Sequence, residues 1–138
     1  MKSIAALTLL ALSGAARAAP PHDADPVAAH LFPPDLIMGH QQELGVDDKQ
    51  RQAISAEMQK AQAELMPLQW QMQAATEQLV KLLEAPRVDE AKALAQADQM
   101  MSIERQFKRI HLGMLIRVRN LLTDAQRARL AELRKEGP

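Results

Sequence analysis

The sequence predicts an all-α protein built on one long antiparallel helical hairpin, and three observations point that way. Apolar or small residues fall at Ile54, Met58, Ala61, Leu65, Leu68, Met72, Ala75, Leu79 and Leu82. These alternating steps of four and three hold a single stripe along one side of a helix. A short signature occurs twice, as Val46-Asp47-Asp48-Lys49-Gln50 and as Leu122-Thr123-Asp124-Ala125-Gln126, each followed by an arginine, Arg51 or Arg127. Finally, Phe32, Trp70 and Phe107 are the only aromatic residues, methionine occurs eight times, and cysteine is absent. Such a composition favours thin, adaptable helix seams over a thick core, and leaves stability to packing or association without disulfides.

Residues 1–18 read as a secretory signal peptide: Lys2, an apolar stretch from Ile4 to Leu12, and small residues ending in Ala16-Arg17-Ala18. The apolar run is too short to span a hydrocarbon core of roughly 30 Å. The expectation is therefore export to the periplasm, cleavage, and no membrane insertion afterwards. Residues 19–34 carry five prolines with Asp23 and Asp25, and are expected to form a flexible Pro-rich tail. Residues 35–138 then form one helical domain.

That domain opens with a short helix from Asp35 to about Leu44, ended by Gly45. The first copy of the signature starts the next helix. Asp47 as N-cap accepts from the third helical N–H, Gln50 reaches back to the N–H of the cap, and Val46 staples the entry. This helix runs to about Glu84, roughly 55 Å at 1.5 Å per residue. Pro67 lies inside it, leaves the carbonyl of Ala63 without its usual donor, and is expected to bend the rod.

Ala85-Pro86-Arg87-Val88 breaks the pattern, and Asp89 caps a second long helix to about Leu121. Its seam reads Met100, Ile103, Phe107, Ile110, Met114, Val118 and Leu121, widened by Leu112, Leu115 and Leu122. The second signature, with Thr123 as cap, Gln126 closing the box and Leu122 as staple, starts a last helix to about Lys135. A short link makes the long helices antiparallel neighbours, so residues whose numbers sum to about 170 lie level and the two signatures meet at the open end. So much apolar surface on two long helices calls for a partner, and a homodimer is expected.

Charge is uneven along the chain. Residues 19–98 hold 6 basic and 13 acidic residues, whereas residues 99–138 hold 9 and 4. A partner for the basic half is therefore sought on the third helix. Nucleic acid is disfavoured because the cations lack interleaved aromatics. Catalysis is disfavoured too, since the sequence has no nucleophile with an adjacent base, no phosphate-cradling glycine loop and no H-E-x-x-H pair.

Leu122 to Gln126 matches the LTxxQ motif, and Val46 to Gln50 resembles its upstream copy. Together with the leader, the size and the helix lengths, the chain resembles the Spy/CpxP (LTxxQ-motif) family of periplasmic proteins, which includes ZraP- and CnrX-like heavy-metal resistance and sensor relatives. The resemblance implies four helices per protomer and an antiparallel, cradle-shaped dimer. It also implies either an ATP-independent chaperone for unfolded periplasmic proteins or a regulator acting on the periplasmic domain of a sensor kinase. The alternative is binding or sensing of zinc, nickel or cobalt.

By comparison with the metal-sensing relatives, His40, Glu57 and His111 are the candidate ligands. An imidazole pair with one carboxylate suits Zn or Ni, although Leu36 and Leu115 stand where those relatives place a further His and a Met. No cofactor is otherwise required. For the chaperone or partner reading, the candidates are Arg105, Lys108, Arg109, Arg117 and Arg119, with Met66 and Met101 beside the seams as adaptable apolar contacts.

Overall fold

A computed structural model describes residues 25–136 and contains, after a 3₁₀ turn at Ala28–His30, four α-helices: α1 Pro34–Gly39, α2 Asp48–Leu83, α3 Glu90–Asn120 and α4 Asp124–Glu136. The expected leader and residues 19–24 of the tail lie outside the described residues. Among those described there is no strand, and no helix is long and apolar enough to cross a membrane. Helices α2 and α3 pack along each other as the expected hairpin. Helix α2 continues through Pro67 without interruption.

Two expectations about the N-terminal part are corrected. The short helix stops at Gly39 and does not reach Leu44, because glycine is a poor helix former and the chain turns there. The following turn closes as a Schellman motif: Val46 N–H donates to the Gln41 carbonyl at 2.9 Å and Gly45 N–H to that of Gln42 at 3.2 Å, with Gly45 at φ 62°. The second half of the Pro-rich tail is also docked. Phe32 is only 4% exposed and belongs to the main core, because the apolar Leu31-Phe32 pair has a helical end to bury itself in.

That core is concentrated at the open end of the hairpin, where Phe32, Ile37, Leu44, Ile54, Met114, Val118, Leu122 and Leu130 close on one another. Along the shaft only Leu68, Ala75 and Ile103 form a second buried cluster. The heptad stripe of α2 therefore splits into two rails. Ile54, Ala61, Leu68 and Ala75 are buried against α3, whereas Met58, Leu65, Met72 and Leu79 are exposed or half-buried. One rail seals the protomer, and the other is left for something else.

The open end is locked by the signatures. In α2, Asp47 accepts from Gln50 N–H at 2.7 Å while Gln50 Oε1 accepts from Asp47 N–H at 3.2 Å. In α4, Thr123 Oγ1 accepts from Gln126 N–H at 3.2 Å and Gln126 Oε1 accepts from Thr123 N–H at 2.9 Å. The two side-chain amides then pair with each other: Gln50 Nε2 donates to Gln126 Oε1 at 2.8 Å and Gln126 Nε2 to Gln50 Oε1 at 3.1 Å. The remaining protons go to main-chain carbonyls, from Gln50 to Leu121 at 2.9 Å and from Gln126 to Leu44 at 3.2 Å. Each amide thus makes two donations and two acceptances, which exhausts its capacity. In both copies the arginine after the glutamine pairs back to the first helical aspartate, Arg51 to Asp48 and Arg127 to Asp124.

Removing either glutamine strands the other amide and a carbonyl, and Gln126 is only 7% exposed. Gln126→Ala and Gln50→Ala are each expected to cost about 2–3 kcal/mol, and the double variant to fall short of their sum by about 1–2 kcal/mol, as measured by denaturant unfolding. Strict additivity would show that the two boxes act independently.

Candidate functional site

The half-open rail of α2 lines a groove along one side of the hairpin. Met58, Gln62, Leu65, Met66 and Gln69 of α2 face His111, Met114 and Leu115 of α3, and Pro33, Pro34 and Asp35 close one end. This stretch has a volume of about 480 Å³, room for several side chains. Beyond Gln69 the groove continues between Met72 and Gln73 of α2 and Phe107, Glu104 and Lys108 of α3. Every α2 residue in this lining is methionine, leucine, alanine or glutamine, so that wall carries no charge. The other side of the hairpin differs in chemistry: Gln71, Gln78, Gln99, Ser102 and Gln106 surround Ala74, Ala75 and Ile103 there.

The helix period explains this division. The charged residues of α2 in this region, Glu57, Lys60, Glu64, Glu77 and Lys81, fall on other faces of a 3.6-residue repeat. Methionine is unbranched and polarisable and can reshape itself around an irregular apolar surface. Glutamine between the methionines keeps such a wall wettable without fixing a charge.

The client or partner candidates separate into groups. Met66 and Met101 are 51% and 55% exposed; Met66 lines the groove, while Met101 shares α3 with the exposed Leu94, Leu112 and Ile116. Lys108 stands at the groove, and Arg105 and Arg109 are exposed. Arg117 and Arg119 are engaged within the chain. Arg117 Nε donates to Glu57 Oε2 at 2.6 Å, and Arg119 Nε to the His30 carbonyl at 3.1 Å. The third-helix cations therefore do not form one open basic face.

The metal candidates are placed as follows. Glu57 is held by Arg117 across the hairpin. His40 Nδ1 lies 3.4 Å from Glu43 Oε2, and Glu43 is also paired with Arg129. The hydrogen bond from Arg129 is the main reason that the Glu43 carboxyl titrates below the usual glutamate range. His111 is exposed at the groove. Among the described residues no group of three or more His, Asp or Glu side chains is arranged to hold a metal ion.

Three features near the site lie outside the expectations from sequence. Arg134 lies 5.1 Å from the ring centroid of Phe32 and donates to main-chain carbonyls of the N-terminal segment. Trp70 is 69% exposed, one helical turn beyond Met66. Docking of Leu31 and Phe32 could have been suspected from two large apolar residues beside a proline pair.

The sequence model of a family described as heavy-metal resistance matches residues 3–129 of the chain. No curated protein and no solved structure gives a significant match.

Proposed function

This chain belongs to the heavy-metal resistance family, and we propose that within it the protein is a periplasmic stress protein of the Spy/CpxP type, acting as an ATP-independent chaperone or as regulator of an envelope-stress sensor. One observation carries the reading: a long groove whose α2 wall is methionine, leucine and glutamine, open on one side of a hairpin whose other side is lined by glutamine and serine. Such a wall offers apolar contact without demanding a particular sequence, which is what holding many unfolded segments weakly requires. Lys108 supplies positive charge at the groove, and Arg105 and Arg109, exposed on the same helix, add to the long-range attraction.

Equimolar protein is expected to suppress aggregation of a denatured client without nucleotide or metal. Placing charge in the wall, as Met66→Asp with Gln69→Asp, should lower capture at least several-fold with helicity unchanged. Wild-type protein that suppresses nothing while binding a sensor domain would remove the chaperone arm and leave the regulatory one.

The reading includes a homodimer. Leu94, Met101, Leu112 and Ile116 are 58%, 55%, 41% and 43% exposed on α3, apolar area interrupted by Arg105 on the same face, which a second copy could cover. In that arrangement Met101 serves the interface and not the client. Sedimentation at micromolar concentration is expected to give a dimer, and Ile116→Glu a monomer. A well-folded wild-type monomer would overturn this assembly.

The family description favours a second reading, metal binding through His40, Glu57 and His111. Glu57 would have to leave Arg117, and His40 its contact with Glu43. If so, one Zn²⁺ or Ni²⁺ should bind per protomer and weaken as pH falls through the histidine range near about 6.5. Arg117→Gln, which releases Glu57, should tighten it, and His111→Ala should abolish it. Binding that ignores both substitutions would exclude this ligand set.

A further inference from the structure

Cysteine is absent, so methionine carries all the sulfur of the chain, and the helices sort it by exposure. The sealed rail of α2, formed by Ile54, Ala61, Leu68 and Ala75, contains none. The open rail contains Met58 and Met72, with Met66 at its edge. Met58 and Met66 are 37% and 51% exposed, and both line the groove. Met114 of α3, by contrast, is 7% exposed in the main core, and Met72 and Met100 pack against the second buried cluster. Met101 is 55% exposed but stands outside the lining of the groove.

A thioether accepts an oxygen atom from a peroxide that can reach it, so access decides which methionines react. As the O–O bond of hydrogen peroxide breaks, one oxygen bonds to Sδ and sulfur gives up two electrons; the other oxygen leaves as water with both protons. A dithiol reverses the step: it supplies two electrons and two protons, becomes a disulfide, and the sulfoxide oxygen departs as water. We propose that Met58 and Met66 are paired oxidation sites, whose conversion to sulfoxides turns the groove from apolar to polar while the hairpin stays folded. A sulfoxide oxygen is a polar acceptor, and an apolar client segment laid over it would strip its hydration. Gln62 lies one helical turn from each methionine and lines the same stretch of groove, so its amide is spaced to donate to either sulfoxide. This rests on the chaperone reading and adds to it a reversible modification that releases the client under peroxide.

The test treats the full mature protein with hydrogen peroxide and maps oxidation by peptide mass. Met66 and Met58 are expected to gain oxygen ahead of Met72, Met100 and Met114, with helicity unchanged. Capture of reduced and alkylated α-lactalbumin is then compared as the ratio of treated to untreated protein for each variant. That ratio should fall about three- to tenfold in the wild type and in Met101→Leu, where the groove methionines remain. In the double variant Met58→Leu with Met66→Leu it should not fall, because leucine has no sulfur to oxidise. Methionine sulfoxide reductases with dithiothreitol should restore capture by the wild type.

Oxidation of Met72 or Met114 as fast as that of Met66 would overturn the proposal, as would loss of helix at the same dose. So would wild-type capture that persists once Met58 and Met66 are sulfoxides, capture that the reductases do not restore, or an equal loss in the double leucine variant. If untreated protein captures no client, the chaperone reading fails, and the apolar dye bis-ANS still decides the switch. Dye binding that oxidation lowers in the wild type and not in the double leucine variant supports it; dye binding that oxidation leaves unchanged removes it.

Discussion

The structure depends on a pair of side-chain amides. Gln50 and Gln126 each close the N-terminal box of their own helix, each accept from and donate to the other, and each donate to the carbonyl of the segment that precedes the other's helix, Gln50 to Leu121 and Gln126 to Leu44. Four chain segments are thereby referred to one point: the turn ending at Leu44, the start of α2, the end of α3 and the start of α4. Glutamine suits this task because its amide offers two donors and two acceptor directions in a rigid plane. An aspartate or glutamate there would bring a charge into a site where Gln126 is nearly buried, at a cost in desolvation.

With the open end fixed in this way, the shaft can be thin. The large apolar residues Ile37, Ile54, Val118 and Leu130 are fully buried around the amide pair, and burial of such side chains supplies about 1.5–3 kcal/mol each. Farther along, α2 and α3 touch through one buried rail with alanine at Ala61 and Ala75, which lets the helices meet without a broad core. The other rail stays open and becomes the wall of the groove. The economy of the seam and the availability of the groove have the same cause, a stripe of apolar residues that only half fits inside a two-helix shaft.

Electrostatics follows the same division. Arg117, Arg119, Arg129 and Arg134 are committed to contacts within the chain, with Glu57, with the N-terminal carbonyls and with Glu43. The basic half of the sequence is thus used in large part to tie the acidic half to itself, across the hairpin and across the open end. What faces outward on α3, Lys108 at the groove with Arg105 and Arg109 on the same helix, is a smaller positive patch than composition alone suggests.

The sequence by itself determined the elements and their order. Capping boxes at Asp47 and Thr123, the cap at Asp89 and the break around Pro86 depend on residues close together in the chain, so their chemistry can be read locally, and the register placing the two signatures level follows from the short link between the two long helices. Tertiary structure decided what depends on partners distant in sequence. Gln50 finds Gln126, Glu57 is taken by Arg117, Phe32 is drawn out of a proline-rich segment into the core, and Arg134 closes over it. A heptad stripe marks which residues want burial, but which of its two rails is sealed and which stays open is settled only when the second helix is laid against it.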